Sequence, residues 1–95
     1  MSTFIIFSKF SSDTFKNPQD LKKTAERVAG EIKKQCPGVT WKESYATMGR
    51  FDVVDIVEAD DPAMVEKAAM IIGGYGACTT ETMHATPWKT FLESL

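Results

Sequence analysis

The stretch "VTWKESYATMGRFDVVDIVEA", residues 39 to 59, decides how this chain folds. Its first half, residues 39 to 48, alternates bulky and polar side chains as a half-buried strand does, and residues 51 to 59 are dense in β-branched types. Between them Gly49-Arg50 supplies a two-residue turn with glycine in the first central position, so the whole reads as a β-hairpin. Antiparallel pairing through that turn sets Met48 opposite Phe51, Thr47 opposite Asp52, Ala46 opposite Val53 and Ser44 opposite Asp55. One face then carries Met48, Ala46, Ser44 and Lys42 with Phe51, Val53, Asp55 and Val57. The other carries Thr47, Tyr45, Glu43 and Trp41 with Asp52, Val54, Ile56 and Glu58. Both faces contain acids, so alternation alone does not choose the buried one.

The cost of burial helps to choose. An unpaired carboxylate under a layer of helices loses several kcal/mol of solvation or is forced neutral. Asp52 and Glu58 sit at strand ends, near water. Asp55 is in mid-strand, so its face is expected on the side of the sheet that helices leave bare, toward a subunit interface or a lumen between two sheets. There it can pair diagonally with Lys42, orient a ligand or act as a base.

Upstream, "TFIIFSKF" (3 to 10) is short and apolar and reads as a central strand buried on both faces. "SSDTFKNPQD" breaks the pattern, and Asn17-Pro18 starts a helix by cap and first-turn proline. Leu21, Ala25, Val28, Ala29, Ile32 and Cys36 form its apolar stripe, with Lys22, Lys23, Glu26, Lys33 and Lys34 pointing away. Gly30 weakens this helix by about 1 kcal/mol and suggests close packing on the sheet; Pro37-Gly38 ends it.

Downstream, Asp61-Pro62 repeats the start signal. Val65, Ala68, Ala69 and Ile72 form the stripe of a second helix, and Gly73-Gly74 stop it. "CTTETMHAT" (78 to 86) is a threonine-rich fourth strand. Thr86-Pro87 opens a short last helix whose Trp88, Phe91, Leu92 and Leu95 lie on one side and need a surface to cover. The order strand, helix, strand, strand, helix, strand describes an α+β ferredoxin-like plait, βαββαβ, with a four-stranded antiparallel sheet and a short C-terminal helix. Right-handed crossovers put both long helices on one sheet face and leave the other uncovered. Residues 1 to 95 read as a single domain.

A domain of 95 residues has a modest core, and a bare apolar face calls for a partner, so self-association is expected. A formal net charge of −2 gives no attraction to a phosphate backbone, and no stretch reaches the length of a membrane span; neither nucleic acid nor membrane is expected as partner. The N-terminal apolar run is too short for an export signal, and the chain is expected in the cytoplasm. Cys36 and Cys78 lack metal-ligand spacing and read as small buried residues. No metal or cofactor is predicted.

The chemistry-bearing candidates are few. Asp55, Glu81 and His84 can serve as acid or base if the fold brings them together. His84, the only histidine, cannot make a protein metal site within one chain, but can be an axial haem ligand; the bland reading is a satisfied edge-strand histidine. "GGYG" (73 to 76) follows a helix rather than preceding one, so it is a helix stop and not a phosphate loop.

"TMGRFDVVDIVEADDP", followed after a helix by "GYGACTTETMHA", resembles the GYD-domain family of small prokaryotic proteins, over nearly the whole chain. The resemblance implies a dimeric α/β-barrel of ferredoxin-like plaits. By position it carries over Gly49, Phe51 and Asp52 as the turn motif, Glu58 as the strand acid, and Thr80 and Thr82 as a Thr-x-Thr pair. Phe51, Asp52, Thr80 and Thr82 are thereby candidate ligand-binding residues. Phe51 replaces the family's tyrosine, and Thr79 and His84 stand where arginines are frequent, so an anion site built on those arginines is not expected. Asp55 is also a departure, at a position commonly small or apolar. Two functions follow as expectations: a homo-oligomeric binding or accessory protein, with a small ligand held between sheets, or a small cofactor-independent monooxygenase or isomerase.

Overall fold

The computed structural model describes residues 1–11 and 16–95; part of the expected break at "SSDTFKNPQD" lies outside them. The elements are β1 (Ser2–Phe10), α1 (Pro18–Gln35), β2 (Thr40–Ala46), β3 (Val53–Ala59), α2 (Pro62–Gly76), β4 (Cys78–Ala85) and α3 (Trp88–Glu93). The four strands form one antiparallel sheet in the order β2-β3-β1-β4, which is the ferredoxin-like plait. The two most apolar strands, β1 and β3, take the centre, and the polar β2 and β4 take the edges, where unpaired backbone groups meet water.

Both long helices begin as expected. The Asn17 side chain accepts from the Gln19 and Asp20 amides at 3.0 and 3.1 Å, and the Asp61 carboxylate accepts from the Ala63 amide at 3.0 Å. In each, proline follows the cap, where its missing N–H is not needed.

The ends differ more. Gly73 and Gly74 do not stop α2, which runs on to Gly76 and closes on Ala77 in a left-handed conformation, φ 50°. Burial on the sheet holds the helix through its glycines despite their low propensity. Gly73 has a steric role: a Cβ there would lie 3.3 Å from the Cys78 carbonyl oxygen, so its absence lets β4 turn back tightly. Gly30, by contrast, is exposed and has open space where a Cβ would be. It does not mark close packing on the sheet, and nothing in the structure explains it.

The core is built from alternate residues of β1 and β3, chiefly Phe4, Ile6, Val57 and Ala59, under Val65, Ala68, Ile71 and Ile72 of α2. Ile32 and Cys36 complete it. β1 is therefore buried on one face only; the opposite face, with Ile5 and Phe7, is half-buried because no second layer covers it.

The hairpin keeps the expected register at Ala46–Val53 and Ser44–Asp55, but strand pairing stops there, so Met48 does not pair with Phe51. Residues 47–52 form a wider loop, with Gly49 at φ 132°. It is closed by the Thr47 amide donating to the Asp52 carbonyl at 2.9 Å and by the Thr47 hydroxyl donating to the Phe51 carbonyl at 2.7 Å. Further along, a β-bulge between Trp41 and Glu43 shifts the register by one residue. A single extra residue exchanges the faces beyond it. Trp41 thus leaves the side of Glu43 and Tyr45 and joins that of Asp55.

A polar floor beneath the first helix

The face carrying Asp55 is the one the helices cover. This reverses the expectation from burial cost: Asp55 is 7% exposed and, with Ser8, Ser44 and Trp41, lines a partly open cavity of about 830 Å³ between α1 and the sheet. The apolar stripe of α1, including Leu21, Val28 and Ile32, forms its roof. No Cα of α1 comes within 8 Å of a strand Cα, so this helix lies farther from the sheet than α2 does, and Ile32 near its C-terminal end is its one residue buried in the core.

Two devices make the buried carboxylate tolerable. The Ser44 hydroxyl, directly across the β2–β3 pair, donates to Asp55 Oδ1 at 2.5 Å. The bulge brings the Trp41 indole Nε1–H into a shared bond, to Asp55 Oδ1 at 3.1 Å and to Ser44 Oγ at 3.0 Å. Bonds of this type to a charged acceptor contribute about 1.5–3 kcal/mol each. Lys42 does not pair with Asp55; the bulge turns it to Glu58, at 3.8 Å. Asp55 Oδ2 takes no hydrogen bond among the described residues.

Beside this group the Ser8 hydroxyl is fully buried and has no hydrogen-bond partner. It lies near the Cys78 thiol without bonding geometry to it; the thiol donates instead to the Ile72 carbonyl at 3.5 Å. Burial pushes the thiols of Cys78 and Cys36 up from their ordinary value, and both cysteines are free.

The other candidate residues do not gather here. Asp52 is structural: its Oδ2 accepts from the Phe10 amide at 2.8 Å while its own amide donates to the Ser8 carbonyl at 2.9 Å, tying the hairpin loop to the end of β1. Phe51 packs on Phe7 with ring centroids 4.8 Å apart. It shares a second, shallower cleft of about 380 Å³ with Lys9, Arg50, Thr80 and Glu81. Thr82 is exposed on edge strand β4 and lines neither cavity. His84 is also exposed there, edge-on to the Phe4 ring at 5.3 Å.

Glu81 lies on the opposite sheet face from Asp55, and β1 separates Asp55 from His84. The three potential acids and bases therefore do not form one site. Among the described residues no three His, Cys, Asp or Glu side chains gather as metal ligands, and no helix is long and apolar enough to cross a membrane. Sequence reading passed over Ser8, Ser44 and Trp41 as functional positions. The signal for Ser8 was a lone hydroxyl in the apolar run "TFIIFSKF", and for Ser44 its position across from Asp55.

On the bare face, Ile5, Phe7, Val54 and Ile56 form a half-buried apolar strip with exposed Tyr45 and Met83 at its sides. Exposed Trp88, Phe91, Leu92 and Leu95 project from α3 and beyond it, and Trp88 and Phe91 stack at 5.9 Å.

Residues 4–95 match the family model of the GYD domain. The chain is 32% identical over 91 residues to a Thermus thermophilus protein named glutamine synthetase and cystathionine beta-lyase binding protein, covering 92% of this chain and 90% of that one. Among solved structures it is similar to the Mycobacterium tuberculosis leucine response regulatory protein, with a TM-score of 0.62 and 12% identity over 90% of this chain. It spans about half of that protein, 51%. A de novo designed ferredoxin-fold protein gives a TM-score of 0.52 at 14% identity, covering 92% of this chain and 86% of that chain. At such identities the structural likeness concerns the fold alone.

Proposed function

The chain belongs to the GYD-domain family, and from that premise we propose that it is a binding or accessory protein that docks through the bare face of its sheet and the apolar side of α3, onto a second copy of itself and onto partner enzymes. The observation that carries this reading is the strip of Ile5, Phe7, Val54 and Ile56, which no helix covers, together with exposed Trp88, Phe91 and Leu92. Contiguous apolar surface of this kind is uncommon on a monomer without a partner. A sheet face can meet its own copy about a two-fold axis, which makes one strip serve both subunits.

The name of the Thermus relative supports partners such as glutamine synthetase or cystathionine beta-lyase. Two free cysteines suit the reducing cytoplasm. Acid–base catalysis is less well supported, because Glu81 and His84 stand apart from Asp55. Haem held by His84 has little support either, since that side chain lines neither cavity.

Sedimentation at micromolar concentration should give a dimer or larger species, and Phe7→Glu should shift it to monomer. Purified glutamine synthetase and cystathionine beta-lyase, passed over the immobilised protein, should bind the native chain and not that variant. A stable native monomer that also binds neither enzyme would sink the proposal.

A further inference from the structure

We propose that the cavity between α1 and the sheet binds a small organic cation, an aryl- or alkylamine, whose ammonium sits between Asp55 Oδ2 and the Ser8 hydroxyl while its hydrocarbon part lies under α1. At about 830 Å³ the space falls in the range of small-molecule sites, and it has their composition: mostly apolar walls with a few convergent polar groups.

Those polar groups set the ligand's chemistry. Asp55 presents a carboxylate with one oxygen satisfied by Ser44 and Trp41 and the other open. Such a buried charge is normally paired. Lys42 is committed to Glu58, and Lys33, at the rim, is exposed and forms no ion pair with a described residue. An anion would be repelled, and a neutral alcohol would leave the charge uncompensated.

Ser8 is the second, independent sign. Ser8 lines the same cavity, and its buried hydroxyl lacks a hydrogen-bond partner, which native structures seldom tolerate. Ser8 pairs with Val53 across the β1–β3 ladder, and Asp55 is two residues further along on the same face. The β-carbons of such diagonal neighbours lie about 7 Å apart, and the oxygens that extend from them leave room for one ammonium between the two side chains. Leu21, Val28, Ile32, Val39 and Val53 offer the remainder of the ligand an apolar bed.

Trp41 reports on the site, because its indole lines the cavity. With Trp88→Phe removing the exposed second tryptophan, titration with 2-phenylethylamine should give a saturable fluorescence change, at least ten-fold tighter than with 2-phenylethanol, and 3-phenylpropanoate should give none. Asp55→Asn keeps an Oδ1 acceptor for Trp41 and Ser44 but removes the charge; amine affinity should fall at least ten-fold, to the level of the alcohol. Val28→Phe fills the space and should abolish binding of every probe while the far-ultraviolet circular dichroism stays native. Equal affinity for amine and alcohol in the native chain, no saturable change, or unchanged amine binding in either variant would overturn the proposal. Neither Asp55 nor Val28 lies on the bare sheet face, and the oligomer measurements use the chain with Trp88 intact, so the two sets of measurements are read independently.

Discussion

Two helices lie on the same face of one sheet, yet α1, with 18 residues, buries one of them and α2, with 15, buries six. The difference lies in the floor beneath each. α2 faces Phe4, Ile6, Val57 and Ala59, and its Ala68, Ala69 and Gly76 let its backbone come close. α1 faces Ser8, Ser44 and Asp55. A helix gains by collapsing onto apolar residues, whereas collapse onto a carboxylate would strip its water without a compensating charge. The result is a solid half and a hollow half, bridged by Arg27 of α1 lying over the Tyr75 ring of α2 at 4.5 Å.

The contrast is sharpest where the core is fully packed. Ile6→Ala, under the solid half, should cost about 3 kcal/mol in chemical denaturation, whereas Leu21→Ala in the roof of the cavity should cost under about 1 kcal/mol. Equal losses would mean that α1 packs as tightly as α2. A paired substitution tests the same point with opposite signs. Ala68→Leu should overpack and destabilise by about 2 kcal/mol, while Ala25→Leu, beside the cavity, should lie within about 0.5 kcal/mol of native or stabilise it.

The polar floor has its own test. Ser44→Ala removes the 2.5 Å bond to Asp55 and should cost about 1.5 kcal/mol, unless a bound cation is present to offset it. At the end of α2, Ala77→Gly relieves a left-handed alanine and should raise stability by about 0.5–1 kcal/mol, seen as a small rise in Tm.

The smallest effect is a pH dependence. Burial raises the Cys36 and Cys78 thiols above their ordinary 9.0. The unfolded chain therefore loses these protons first, so their contribution is intact below about pH 9 and fades as the pH rises through the folded values. Thermal unfolding should show a lower Tm at pH 10 than at pH 8, and Cys78→Ala should flatten part of that fall.

Much of this architecture was legible in the pattern of residues. Both capped helix starts, four strands, the plait and the pairing of Ser44 with Asp55 follow from period, cap chemistry and turn position, which are local properties. The choice of sheet face for Asp55 was not legible. The burial argument assumed a dense helix layer and a carboxylate without hydrogen-bond donors, and neither condition holds here. α1 lies farther from the sheet than α2 does, and Ser44 and a bulge-shifted Trp41 supply donors. A one-residue bulge leaves almost no trace in an alternating strand, yet it moved Trp41 onto the site and Lys42 away from it. The length of α2 was missed for a related reason: its glycines are helix breakers locally, and contact with the sheet overrides them.

By itself, then, the order of apolar and polar residues determined which segments become helix and strand and how they connect, because those preferences act within a few residues of one another. Tertiary structure alone decided which face of the sheet is covered, how far α1 stands from it, and that Asp55 and Ser8 share one cavity. Such outcomes depend on helix-to-sheet distances and side-chain partners far apart in the chain, which no local pattern encodes.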